Sequence, residues 1–370
     1  MPSTTPLEIE SQEELAEHLA RHSLAGLTVQ GLTVAADLSH VKVKDAVFIG
    51  CTFPTLAAEA ALVRRGAHVV PAADWAPYPT HPARLYTSAD LVAGFADGGF
   101  ENMYDTRVYR HFVAEGGPNA GVREALAQRL HDHGIDNALS DALADVPSSH
   151  RIGVMGGHAE PRGSAAYRLA AALGHGLARA GRLVVTGGGP GVMEAANLGS
   201  ALAGYDAATL TGAIGELERA PDFRQHDTYT RAALKLQAAH PTDDPWAGGL
   251  SVPTWLYGHE PANVFAGQIA KYFSNAIRED VILRVSRGGI VFAPGRAGTV
   301  QEVFQAATKT YYASDGDSGP FVFLGRRFWT EDIPAPALLR TLLSGAGAAD
   351  LVHVTDDVDE ALAILCPPTP

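Results

Sequence analysis

Along the second half of the chain, short unbroken apolar runs alternate with longer stretches whose apolar positions recur at helical spacing. A run at 152–155 precedes a helical pattern at 164–180, and a second run at 183–185 ends in Thr186-Gly187-Gly188-Gly189-Pro190-Gly191. Helical spacing resumes at 192–202. After a long middle segment come a helix at 263–284, a strand at 289–293, a second glycine turn and a helix at 299–312. Strand, helix, strand and helix then close the chain at 321–324, 336–344, 351–354 and 358–365. Short runs separated by single helices require parallel pairing, because each connection must cross a face of the sheet. Residues 146–370 therefore predict a doubly wound, mostly parallel Rossmann-like α/β sheet of five or six strands.

Upstream, residues 1–145 carry a weaker pattern: strands at 45–51 and 67–71 around a helix at 56–65, then helices at 106–115 and 120–145. This predicts an additional N-terminal α/β domain, with the break at Pro147, Ser148 and Ser149 as the boundary. Between about 215 and 260, Pro221, Pro241, Pro245 and Pro253 interrupt the pattern. A loop of that length inside an α/β domain reads either as a lid or specificity insert or as an inert excursion.

Composition narrows the partners. With 46% hydrophobic residues and a net charge of -13, the chain has material for a sizeable core and repels nucleic acid and anionic membranes over most of its surface. No stretch of 18 apolar residues occurs and the acidic N-terminus has no signal-like run, so a cytoplasmic protein is expected. Cys51 and Cys366 stand far apart with no CxxC pair, which argues against a disulfide framework or a zinc site.

In open α/β sheets ligands bind beyond the carboxyl ends of the strands, where both glycine turns fall. Glycines let the backbone approach an anion, and a helix N-terminus adds favourable partial charge. A phosphate is the simplest such anion. The common fingerprints nevertheless fail: Gly187-x-Gly189 is followed by Val192 where a dinucleotide motif needs glycine, and no Gly-Lys pair supports an NTPase loop. His259-Glu260-Pro261-Ala262-Asn263 lacks the second histidine of a zincin, and no G-x-S-x-G elbow is present.

Gly187-Gly188-Gly189-Pro190-Gly191-Val192-Met193-Glu194 and Pro294-Gly295-Arg296-Ala297-Gly298-Thr299-Val300-Gln301-Glu302 together resemble the two spaced motifs of the LOG ("Lonely Guy") family. The resemblance runs from Arg151 to the C-terminus. It implies metal- and cofactor-independent hydrolysis of the N-glycosidic bond of a nucleoside 5′-monophosphate, giving free base and ribose 5-phosphate, as in the larger bacterial nucleotide nucleosidases. A homodimer or higher homo-oligomer is also implied. Members were once labelled lysine decarboxylases, a label for which this sequence offers no pyridoxal phosphate site.

The catalytic glutamate of the second motif falls on Glu302, and the arginine preceding that motif on Arg278, with Arg284 as competitor. Arg278 would neutralise phosphate charge or position Glu302. Substrate contacts fall on Gly187, Gly188, Gly189, Gly191, Met193 and Glu194 of the first motif and on Gly295, Arg296, Ala297, Gly298 and Thr299 of the second. Gly156, Gly157 and Arg162, after the domain's first strand, complete the set, with His158 as a candidate proton donor to the leaving base. Where the family motif has a second glycine this chain has Arg296, so either the turn forms without it or the guanidinium itself meets phosphate.

The carboxylate chemistry fits, since glycosidic cleavage builds oxocarbenium character that an ionised glutamate stabilises. Two residues also have local readings. Thr299-x-x-Glu302 matches a capping box, and Glu194 is a first-turn acid favoured by the helix dipole. His131 and His133 point to different sides of a helix and predict packing or solvation, not a shared metal. Tyr311, Tyr312 and Trp329 read as core or dimer contacts. A non-catalytic sensor or carrier of a nucleotide or related phosphorylated cofactor on the same fold is the alternative.

Overall fold

The computed structural model describes residues 8–367, which divide into two compact units. The smaller comprises residues up to Arg84 together with Ala114–Asp141; the larger comprises Leu85–Val113 and residues from Ala142 onward. The segment Leu85–Val113, which the sequence pattern groups with the N-terminal domain, thus packs within the larger unit.

In the smaller unit four parallel strands, β1 (Glu8–Ile9), β2 (Thr28–Gln30), β3 (Val47–Ile49) and β4 (His68–Val70), pair in chain order. Their core is Leu15, Leu24, Val29, Val43, Phe48 and Leu62. Helix Val122–Ala142 buries Glu124, which accepts hydrogen bonds from the Tyr78 hydroxyl at 2.7 Å and Gln128 Nε2 at 3.1 Å. His131 on the same helix is fully buried, with Nδ1 3.3 Å from Asp132, whereas the His133 side chain is 58% exposed. The two histidines diverge, as helical geometry requires.

The larger unit holds a seven-stranded sheet, more than the five or six strands expected: β5 (Arg151–Met155), β6 (Leu183–Thr186), β7 (Leu250–Ser251), β8 (Gln268–Ile269), β9 (Gly289–Phe292), β10 (Phe321–Leu324) and β11 (Val352–Thr355). Their order is β11-β10-β9-β5-β6-β7-β8 and every pair is parallel, a doubly wound Rossmann-like arrangement. The additional strands have two residues each, too short to leave a hydrophobic period. Outside the edge strand β8, Tyr86 and Ile269 exchange backbone hydrogen bonds of 3.0 and 2.8 Å, which covers part of the exposed edge.

The middle segment is ordered. Helix His226–Ala239 buries Tyr229, Ala233 and Leu236, one helical face, so no 45-residue loop exists. The expected helix at 263–284 begins only at Asn275, where the Ser274 hydroxyl caps Ile277 N–H. Upstream of it, Val264, Phe265, Ala266, Ile269, Ala270, Tyr272 and Phe273 are all buried, leaving no solvent face for a helix, and the chain forms a turn at 264–265 and the short strand β8 instead.

Because β5 is central, the chain steps outward through β6 to β8 and then returns to β9 on its other side. The switch point lies at the carboxyl ends of β5 and β9, where such folds open a crevice. Helices Ala165–Arg179 and Val192–Ala201 cross very closely beside it. A Cβ on Gly199 would lie 1.9 Å from the Ala171 carbonyl oxygen and 2.7 Å from His175 N. Both obstacles are helix backbone, which cannot yield. Gly199→Ala is therefore expected to destabilise by about 2 kcal/mol or more. Gly212→Ala, in helix Ala207–Leu217 with nothing within 4 Å of the added methyl, should be neutral or stabilising by up to about 1 kcal/mol in thermal unfolding.

Candidate active site

Three loops meet at the switch point: 156–163 after β5, 187–191 after β6 and 293–296 after β9. The first ties the other two together. Gly157 N–H donates to the Pro294 carbonyl at 3.0 Å, and Val192 N–H donates to the Gly157 carbonyl at 3.2 Å. Below the first turn, the Thr186 hydroxyl accepts from Gly188 N–H at 3.1 Å and donates to Asn197 Oδ1 at 2.7 Å. Gly188 and Gly191 take φ of +71° and +72°, conformations open to glycine. Helix Val192–Ala201 begins at Gly191 and helix Ala297–Tyr312 at Arg296; neither receives a hydrogen bond from its cap side chain. Both N-termini thus meet the crevice with dipoles uncapped by side chains, a favourable setting for an anion.

The second turn resolves the departure at Arg296. Its φ of -114° and ψ of -157° are extended backbone that any residue adopts, so the turn needs no glycine there. Arg296, Ala297 and Gly298 are exposed, Thr299 is buried, and a Cβ on Gly295 would strike the Thr299 hydroxyl at 2.1 Å. Because the helix starts at Ala297, Thr299 is its third residue and Glu302 its sixth. The capping-box reading fails on this register: the glutamate lies one turn too far along the helix to reach the cap.

Arg278, on helix Asn275–Val285, is buried beneath the first turn. Its Nε donates to the Val252 carbonyl at 2.9 Å and Nη2 to the Gly187 carbonyl at 3.4 Å, while Nη1 lies 3.9 Å from Glu302 Oε1. A Cβ on Gly187 would come within 2.7 Å of Arg278 Nη2 and 2.9 Å of Met193 Sδ, which explains the glycine. Arg284, the competitor, is exposed further along the helix. Burial pushes the Glu302 carboxyl up to about 7; the Arg278 charge pulls the other way and Glu279 adds to the rise.

Two residues expected as substrate contacts pair with each other. Arg162 and Glu194 are buried side by side, with Arg162 Nε donating to Glu194 Oε2 at 3.0 Å. The hydroxyls of Tyr167 and Tyr229 donate to the same carboxylate, and Arg162 Nη1 donates to the Tyr229 carbonyl at 2.9 Å. This cluster pins the loop after β5 to the start of helix Val192–Ala201. Trp329 is fully buried and donates from Nε1 to the Phe292 carbonyl at 2.9 Å, whereas Tyr311 and Tyr312 are exposed.

Sequence reasoning missed Glu260, which it met only as part of a failed zinc motif. Its side chain is 13% exposed; Oε1 lies 3.7 Å from His158 Nδ1, and a Cβ on Gly189 would come within 3.2 Å of Oε2. Nearby, Lys271 Nζ pairs at 2.6 Å with buried Asp105, which also accepts from Trp255 Nε1 at 2.9 Å. Neither pairing leaves a local pattern, since 166 residues separate Asp105 from Lys271.

The arrangement is that of an α/β protein with two uncapped helix N-termini beside a largely buried carboxyl. Residues 149–214, spanning β5, β6, the first glycine turn and helix Val192–Ala201, match the SLOG cluster4 family model. No curated protein matches the chain. Among the described residues no helix is long and apolar enough to cross a membrane.

Glu302 imposes a pH-dependent cost on the fold. Its carboxyl titrates at about 7 in the fold against an ordinary 4.5, so the folded state holds a proton that the unfolded state releases, and stability falls as pH rises through that window. Glu302→Gln removes the titration. Its stability relative to the unmodified protein should improve by about 2 to 3 kcal/mol between pH 5 and pH 8 in denaturant unfolding; a constant difference would show that the carboxyl is not held protonated.

Proposed function

We propose that the chain binds a nucleoside 5′-monophosphate at the carboxyl ends of β5, β6 and β9 and hydrolyses its N-glycosidic bond. The observation that carries this reading is the largely buried Glu302 carboxyl, 3.9 Å from Arg278 and flanked by two glycine turns whose helices lack side-chain caps. The match to the SLOG cluster4 family supports a nucleotide-related role. The phosphate sits across 187–191 and 295–299, held by backbone N–H groups, with Arg296 at its exposed edge. Arg278 offsets phosphate charge and steadies Glu302. Ionised Glu302 stabilises positive charge developing on the ribose and accepts a proton from the attacking water. Arg162 and Glu194 shape the loops without touching substrate. The working form is a homo-oligomer, with Tyr311 and Tyr312 among its contacts.

A second reading, a nucleotide sensor or carrier, draws on one fact: the family match contains the first glycine turn but neither Arg278 nor Glu302. Incubation with AMP, GMP, CMP, UMP and IMP, following free base by chromatography, separates the two. The nucleosidase reading expects base from the unmodified protein and a loss of roughly 10²-fold or more in kcat for Glu302→Ala. A monophosphate that raises Tm without releasing base would leave the sensor reading and remove the enzyme.

A further inference from the structure

Glycosidic cleavage asks for two services: stabilisation of the ribose cation and a proton for the departing base. Glu302 supplies the first and cannot also supply the second, since it acts ionised. The structure presents another carboxyl at the same turn. Arg278 Nη2 lies against Gly187, and Glu260 Oε2 lies against Gly189 two residues along, about 7 Å of chain away. The Met193 thioether lies close to both glycines. Arg278 is near enough to act electrostatically on Glu260 and Glu302 alike.

We propose that Glu260 is a second catalytic carboxyl, the acid that gives its proton to the leaving base, and that His158 beside it returns the proton from solvent. The inference rests on the nucleosidase reading and deepens it. The groups facing Glu260 are His158, His259, Arg278 and Lys271. Burial nevertheless raises its carboxyl above the ordinary range, against the opposing pull of His259, Arg278 and Lys271. A phosphate dianion in the neighbouring turn pushes it further the same way, so substrate binding helps to arm the acid.

His158 is the less suitable donor by itself. Burial, with Arg296 and Arg224, lowers its pKa and favours the neutral ring. Its side chain is 55% exposed, however, and lies 3.7 Å from Glu260, a position suited to relaying protons from water. The step balances. As the C1′–N bond breaks, its electron pair goes to the base, and the Glu260 proton moves to a base nitrogen. Water adds its oxygen to C1′ and yields a proton to Glu302, which passes it to solvent. A solvent proton carried by His158 restores Glu260.

The test compares Glu260→Gln on two substrates: AMP, whose base leaves poorly without protonation, and 4-nitrophenyl β-D-ribofuranoside 5-phosphate, whose leaving group needs no proton. The proposal expects AMP turnover to fall by roughly 10²-fold or more, with the nitrophenyl substrate cleaved within about threefold of the unmodified protein. Equal loss on both substrates would mean Glu260 only supports the site, and no loss on AMP would mean it is idle; either overturns the proposal while leaving the nucleosidase reading intact. If the unmodified protein releases no base from any monophosphate, both fall together. For the relay, His158→Ala should slow AMP turnover by about tenfold and be rescued by added imidazole; loss without rescue overturns the relay.

Discussion

One guanidinium joins three strand ends. Arg278 donates to the carbonyls of Val252, after β7, and Gly187, after β6, and faces Glu302 on the helix that follows β9. Arginine suits this task because its planar fork presents several donors in fixed directions and stays charged when buried. Lysine would offer a single point. The arrangement fixes the first turn relative to the second helix, and leaves Glu302 facing a cation that only partly offsets the cost of burying its own charge.

Much of this was legible in the sequence, and the parts that were not share a cause. The strands at 152–155, 289–293 and 321–324 announced themselves as unbroken apolar runs because helices cover both faces of the sheet. The motif around Glu302 was visible because glycines, which tolerate unusual backbone and close contact, cluster where loops must crowd a ligand. Its helix register was not. Thr299 looked like an N-cap only because the string matches one, whereas the helix begins at Ala297 behind an extended Arg296. Likewise β7 and β8 leave no period in two residues each, and the buried stretch before Ser274 mimicked a helix by composition.

Charged residues were the least readable of all. Arg162 and Glu194 carried motif positions that suggested ligand contact, yet their spacing of 32 residues says nothing of the two tyrosine hydroxyls that complete their shell. Glu260 carried no motif and lies against the first glycine turn. Whether a charge faces ligand or another side chain depends on partners far along the chain, which local patterning does not encode. A buried pair of this kind adds little net stability but fixes geometry, since removing one member strands the other in an apolar setting.

The interleaving of the two units in sequence bears on inheritance. Residues 85–113 lie between two stretches of the smaller unit, and supply the larger with Asp105, the buried partner of Lys271. A gene fragment starting near codon 146 would encode every residue of both glycine turns and still strand a lysine charge in the interior. A fragment that carries the larger unit whole has to start at codon 85, and so takes part of the smaller unit with it.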